Sequence, residues 1–441
     1  MSKMKKQNSG RSDYSRKLSR HLRRTQSLPG AKSTSSGRRH LRVIIELTCK
    51  PSRQTVRRLC RHIDAGKGKL IRVKRRMTHM RFVAARVSAS CLKRLCKIKF
   101  VRRVHPDRKV RVSLRIATPS IGSAKLQKRG LTGKGVTIAV IDTGVYPHPD
   151  LTKPRNRIIV FRDFVRGRNK PYDDNGHGTH VAGDAAGNGY SSKGRYKGPA
   201  SNANLAVLKA FDKTGSADSS DVIAAIEWVI RNRKKYGIRI VNMSFGIPGV
   251  KVCSEDPICI AAEKAWRNGI FITAAAGNSG PDANSIDSPG ISPLLMTVGA
   301  ADDRRTVRQS DDRVAEFSAR GSSRARKNRI KPDLVAPGVD IVSLRAPGSM
   351  LDRNEPESRV GSKYFRMTGT SMAAPLIAGA AAQLLQNRKS LTPRQLKSLL
   401  MRHAVSLGFK RSAQGKGEAN VRFAANRIRC RRSRPNQKVG N

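Results

Sequence analysis

The sequence predicts an α/β protein: a parallel sheet with helices on both faces, preceded by a small ferredoxin-like α+β domain. Three observations predict it. From about residue 131 onward, short unalternating apolar runs take turns with amphipathic stretches, the pattern of strands buried on both faces. Ahead of them, residues 41–114 carry the order β-α-β-β-α-β, the split βαβ arrangement. At 441 residues, 38% of them hydrophobic, the chain can form two or three compact units with cores of their own.

The elements follow in order. Residues 1–40 are Ser- and Arg-rich with almost nothing to bury, which predicts a disordered basic tail. The run RVIIEL at 42–47 reads as a strand, and 51–64 as a helix with Pro51 at its first turn. A turn at 65–69, β-rich 70–87, a helix at 88–98 and a strand at 101–112 complete the small domain. In the larger part, 136–141 is a continuous apolar strand, 179–186 a helix and 204–211 a strand. Residues 221–235 form a helix presenting Ile223, Ile226, Val229 and Ile230 on one face. Then come a strand at 238–245, a helix at 258–268, strands at 270–276 and 294–299, and helices at 371–385 and 392–403. This catalytic-sized region runs over 115–428, and 429–441 is again a basic tail.

Charge bounds the function. The chain holds 90 Lys+Arg against 30 Asp+Glu, a formal charge of +60. Residues 1–115 carry 36 of those basic and 4 of those acidic residues, so over half the excess lies in a quarter of the chain. Such a field favours non-specific contact with polyanions. The absence of a zinc-finger or RNP signature, with only 5% aromatic residues, weighs against base recognition. No apolar run approaches the roughly 18 residues of a membrane span. The seven cysteines are neither a disulfide scaffold nor a zinc framework. Cys253 and Cys259 could close a small loop; the reading taken is free thiols in a reducing compartment.

Three segments carry chemistry. Ile141-Asp142-Thr143-Gly144 places an acid at the carboxyl end of an apolar strand. Asn175-Gly176-His177-Gly178-Thr179-His180 places a histidine at a glycine-flanked helix start. Gly369-Thr370-Ser371-Met372-Ala373-Ala374-Pro375 places a serine entering a helix. Each has an ordinary explanation alone, as a turn, loop or helix-entry residue. A serine hydroxyl becomes a nucleophile only when a base takes its proton, and the base needs a carboxylate to fix its tautomer. Asp, His and Ser in that order match a known triad arrangement, whereas the α/β-hydrolase order and its G-x-S-x-G do not fit.

These segments resemble the Asp, His and Ser signatures of the subtilisin-like serine proteases, the subtilases. The resemblance covers about 115–428. TGVYPHPDL, PYDDNGHGTHVAGD, AAAGNSGPD and GTSMAAP are closest to the AprX-type intracellular branch. It implies a serine endopeptidase acting on polypeptides, with Asp142 as orienting acid, His177 as general base and then acid, and Ser371 as nucleophile. His180 belongs to the motif and is not the base. Asn278, in Ala274-Ala275-Ala276-Gly277-Asn278-Ser279-Gly280, matches the family's oxyanion-hole amide. Ser244-Phe245-Gly246 and Ala275-Ala276-Gly277 resemble the two segments lining the specificity pocket, where a substrate adds as a strand.

Asp287 departs from the pattern, which places a small neutral residue at the pocket floor. A buried carboxylate needs a cationic partner, so Asp287 predicts Lys or Arg at the cleaved position. The resemblance also makes 41–114 an inhibitory propeptide, removed by self-cleavage near 111–115. Asp150 matches a calcium ligand of many subtilases. The chemistry itself needs no cofactor, and calcium enters only as a structural ion. The first 40 residues lack an apolar signal-peptide core, which predicts a cytoplasmic protein, with non-classical export as the alternative. The rival reading is a polyanion-binding protein on a dead protease scaffold. Packing does not require Asp142, His177, Ser371 and Asn278 together, and this argues against it.

Overall fold

The computed structural model describes residues 40–64, 70–77, 81–106, 114–321 and 330–426. The basic tails at 1–39 and 429–441, the turn at 65–69, residues 107–112 of the expected last strand of the small domain and 111–113 of the expected cleavage stretch lie outside them. The chain divides into two compact units, within 1–110 and 111–441.

The first unit begins with strand β1 (His40–Leu47), in which Val43, Ile45 and Leu47 are buried at every second position. This is the period of a half-buried strand. Helix α1 (Arg53–Asp64) covers it with Leu59 and Ile63, and β2 (Ile71–Met77) and β3 (Phe82–Ser88) follow. Helix α2 (Leu92–Lys97) buries Leu92, Leu95 and Cys96, and β4 (Val101–Pro106) closes the sheet. The described strands pair antiparallel in the order β2-β3-β1-β4. That order is the ferredoxin-like one.

In the second unit, β5 (Thr137–Asp142) is buried at all six positions, so both of its faces are covered. Strands β6 (Ile158–Asp163), β7 (Asn204–Lys209), β8 (Ile238–Met243), β9 (Phe271–Ala275), β10 (Met296–Asp302), β11 (Arg313–Val314) and β12 (Leu334–Pro337) complete the sheet. Its order is β11-β10-β9-β8-β5-β7-β6, with β12 also paired to β10, and only β11 runs antiparallel. The chain adds β6 and β7 on one side of β5, then crosses to β8, β9 and β10 on the other. The carboxyl end of β5 is therefore the point where strand order reverses, the usual place for a site.

Two helix pairs cover this sheet. Helix α3 (His177–Ala186) packs on α6 (Thr370–Asn387), and α4 (Ser219–Asn232) packs on α5 (Pro257–Arg267). Helix α6 is buried on nearly every side, from Thr370 to Leu385, as its Ala-rich composition requires. Helix α7 (Pro393–Arg402) is entered through a capping box of Thr392 and Gln395. A separate antiparallel sheet of β13 (Ile341–Leu344), β14 (Arg359–Val360) and β15 (Tyr364–Met367) has the order β13-β15-β14.

Two expectations are corrected. Helix α4 buries Val222, Ala225, Ile226 and Val229, while Ile223 and Ile230 stay at the margin of the core. The buried set keeps the i, i+3, i+4, i+7 spacing; the bulkier isoleucines mark its edge and a small alanine its centre. Cys253 and Cys259 are not free: they form a disulfide. Asp256 caps α5 and turns the chain back, which brings their Cα atoms to 5.3 Å, within bridging range. Cys49 and Cys91 are not disulfide-bonded. Among the described residues no helix is long and apolar enough to cross a membrane.

Candidate active site

Asp142 ends β5, and the turn after it is tied to the start of α3 by one carboxylate. Asp173 accepts from the Thr143 hydroxyl (3.0 Å), the Gly176 and Thr179 amides (both 2.8 Å) and the Thr179 hydroxyl (2.6 Å). The Thr143 Oγ1 in turn accepts from the Gly178 N–H at 2.8 Å. A side chain at position 178 would strike the Gly144 carbonyl at 2.3 Å and crowd Asp142 Oδ1 at 3.1 Å, so glycine is needed there. Lys209, fully buried at the end of β7, donates to the Thr143 and Phe211 carbonyls and to Asp174. A buried ammonium is tolerable only when so fully partnered. Asp173 and Lys209 thus hold two strand ends and a helix start in register.

This frame sets His177 Nδ1 2.7 Å from Asp142 Oδ1, which also accepts the Thr143 N–H at 2.8 Å. Burial opposes protonation of His177. The Asp142 carboxylate, helped by Asp173 and Asp184, outweighs that effect and raises its pKa above the ordinary 6.5. His180, fully buried, bonds Asp184 at 2.9 Å and reaches the Ile341 and Phe365 carbonyls at 3.1 Å. It is a packing residue.

Ser371 lies in the first turn of α6, where backbone N–H groups lack intrahelical partners. Its hydroxyl donates to the Ser244 carbonyl at 2.8 Å, and the Ser244 hydroxyl donates back to the Ser371 carbonyl at 2.7 Å. Asn278 Oδ1 accepts from the Thr370 N–H (2.9 Å) and hydroxyl (3.0 Å). These donors fix which end of the amide is oxygen and leave Nδ2 as a free donor beside the nucleophile turn. Asp142, His177, Ser244, Phe245, Met350, Leu351 and Met367 are among the residues lining one cleft of about 340 Å³.

The family model of the subtilases, a serine peptidase family, matches residues 133–425. The chain belongs to the subtilase family. It is 46% identical over 342 residues to serine protease AprX of Bacillus subtilis (strain 168), covering 76% of each chain. It is 36% identical over 296 residues to subtilisin Savinase of Lederbergia lenta, covering 67% of this chain and 93% of that one. Among solved structures, sphericase superposes with a TM-score of 0.56 at 32% identity, over 70% of this chain and 100% of that one. This subtilase is a serine endopeptidase that acts on polypeptides.

Asp287 follows the turn after β9, and its N–H donates to the Ala276 carbonyl at 2.9 Å. Its side chain fills the space left by two glycines. A Cβ at Gly246 would lie 2.5 Å from the Asp287 Cβ, and one at Gly277 would lie 2.3 Å from Oδ2. The carboxyl group therefore sits between segments 244–246 and 275–277, not out in solvent. Partial burial raises its pKa, against the pull of Lys251, whose Nζ donates to the Asn284 carbonyl. Among the described residues no donor reaches the Asp287 carboxylate. Next to it, Ser288 donates to Asp256, the cap of α5.

The calcium expectation at Asp150 does not fit the residues present. Asp150 is fully buried; Oδ1 accepts the Ser191 N–H and Oδ2 the Tyr364 hydroxyl, both at 2.8 Å. Its carbonyl accepts from Arg157, whose guanidinium also donates to the Ala186 and Ala203 carbonyls. Calcium needs six to eight oxygens, and here donors already occupy them. The Arg157 guanidinium supplies the positive charge.

Proposed function

We propose that this subtilase cleaves after Lys or Arg, using Asp142, His177 and Ser371 as its triad and Asn278 as oxyanion donor, and that it is made as a self-processing zymogen. In the ground state the Ser371 hydroxyl donates its proton in a hydrogen bond to the Ser244 carbonyl. For attack the hydroxyl turns to His177 Nε2, which takes the proton as Oγ bonds to the substrate carbonyl carbon. Asp142 holds Nδ1–H and stabilises the imidazolium. Charge developing on the carbonyl oxygen is met by Asn278 Nδ2 and the helix-start amides of α6. His177 then protonates the leaving amine, and water hydrolyses the acyl-enzyme by the same steps in reverse.

The observation carrying the specificity is the unpaired Asp287 carboxylate between the two pocket segments. A substrate Lys or Arg supplies the missing cation. Comparing kcat/KM for peptides differing only in the residue before the cut tests this: Lys and Arg are expected to exceed Phe and Leu, and the reverse order refutes it. The zymogen reading rests on the ferredoxin-like unit ahead of the protease and on the Arg-rich stretch at 111–115. Propeptide and protease are both strongly basic, so their repulsion at low salt weakens inhibition after the cut. Cytoplasmic placement is proposed, with non-classical export as the alternative, and is tested by cell fractionation. Salt-sensitive retention on DNA–cellulose would support a polyanion-parking role for the basic surface.

Two expected outcomes follow from the site. Replacing Asn278 with Ala is expected to lower kcat by about 10²–10³ with little change in KM, a magnitude taken over from subtilisin itself. The second concerns pH. His177 must be neutral to accept the serine proton, and its pKa is raised, so kcat/KM is expected to fall with an acid limb above pH 6.5. Asp142→Asn removes the main raising charge and should move that limb to lower pH while cutting kcat.

A further inference from the structure

One helix braces the segment that carries Asp287. Helix α5 meets the residues after Asp287 at three positions of a single face. Asp256, its cap, accepts from the Ser288 hydroxyl. Cys259 Sγ lies 3.8 Å from the Pro289 carbonyl oxygen, and Glu263 accepts from the Ser292 hydroxyl at 2.8 Å. The spacing 256, 259, 263 is that of neighbours along one helix face. Cys259, Ser288 and Ser292 are wholly buried, so these contacts are made out of water.

The other pocket segment, 244–246, reaches the same helix by a longer route. It continues into Ile247, whose N–H donates to the Ser288 carbonyl at 2.8 Å and whose carbonyl accepts the Ser288 N–H at 3.0 Å. The chain then swings out through Lys251, the cation that pulls on Asp287, and through Val252, which is 50% exposed. Among the described residues, 248–252 make one hydrogen bond beyond their own loop, from Lys251 Nζ to the Asn284 carbonyl at 2.9 Å. Segments with so few ties open easily. The Cys253–Cys259 bridge is what returns this loop to α5.

We propose that the Cys253–Cys259 disulfide is a redox-sensitive positioning element of the specificity pocket, which a dithiol reductant opens, weakening the grip on the residue before the cut. The inference rests on the reading of Asp287 as the recognising group. Cys253 is partly exposed and Cys259 buried, and this sets the order of reduction. A reductant thiolate attacks Cys253 Sγ, and Cys259 leaves as a thiolate that takes a proton. The second reductant thiol then displaces Cys253, so two electrons pass to the bridge and the reductant becomes a disulfide. With the bridge open, the loop holding Lys251 comes away from the Asp287 side, and Cys259 braces Pro289 less firmly. Asp142, His177 and Ser371 lie on other segments and keep their geometry. The cysteines are six positions apart, a short loop of the kind that restrains the unfolded chain least, so the effect is local. The same chain then selects substrates differently in reducing and oxidising surroundings.

The test measures kcat and KM for two peptides that differ only in Lys or Leu before the cut. The parent is assayed before and after dithiothreitol, beside Cys253→Ser, with thiol titration to show the state of the bridge and a thermal melt to show the fold. Reduction is expected to raise KM for the Lys peptide about tenfold with kcat nearly unchanged, short of the roughly 10²-fold cost of a full misplacement. The Lys-to-Leu ratio in kcat/KM should fall with it. Cys253→Ser should show both changes without reductant and no further change with it; should it fail to fold, the reduced parent carries the test. Kinetics unchanged in a parent whose bridge is open overturn the positioning role, even if the melting midpoint drops, because a bridge that merely staples moves stability alone. A dithiothreitol effect that persists in Cys253→Ser overturns it too. A parent that prefers Leu in both states refutes recognition by Asp287 instead, and the bridge is then judged by whether reduction raises KM for the Leu peptide.

Discussion

Ser371→Ala is expected to lower kcat by about 10⁶, and His177→Ala by a similar factor. The magnitude is taken over from subtilisin itself. The residues act as one unit, so the double variant should be hardly worse than either single one. What each loses follows from the geometry. Without Ser371 Oγ there is no atom to form the acyl-enzyme. Without His177 the hydroxyl keeps its proton, because its other neighbour, the Ser244 carbonyl, is a far weaker base. The frame of Asp173, Thr143 and Lys209 remains in both variants, so their folding midpoints should change little. Initial rates on a peptide substrate, beside a thermal melt of each variant, check both statements.

Asp287→Ser is expected to invert specificity. Leaving a charge unpaired in a desolvated pocket costs about 2–5 kcal/mol, or some 30-fold to several thousand-fold in kcat/KM. Peptides with Lys or Arg before the cut should lose about that factor, while those with Phe or Leu should gain. The pH profile supplies an independent sign. The carboxyl group attracts cations only when ionised, and burial raises its pKa. The preference for Lys over Leu should therefore weaken as pH falls through that raised value. A ratio unchanged by both the substitution and pH would place Asp287 outside recognition.

Some of this was legible in the sequence for a physical reason. A strand buried on both faces must be apolar throughout, so β5, β8 and β9 stood out and fixed where Asp142 lies. The small domain was legible because β1 alternates. β6, β12, β13 and β15 were missed, because they are short, and runs such as IIVFRD and YFRM mix charge with apolar residues. Asp173 and Lys209 left no signal of their own, since a buried carboxylate and ammonium look like surface residues until their partners converge from distant segments. His177 and Ser371 carried glycine-rich wording that a helix entry requires, which made them visible. The Cys253–Cys259 bridge depended on the turn at Asp256, and no count of cysteines reveals that.

The central claim is that one chain carries both a working triad and the segment it removes. Intact mass against time, for the purified chain beside Ser371→Ala prepared identically, tests it most directly. The account predicts that the parent loses about its first 110 residues, near the boundary between the two units, while the variant stays whole. A basic residue before the new N-terminus would agree with Asp287. Two chains that both stay whole, with peptide substrates also untouched, would contradict it.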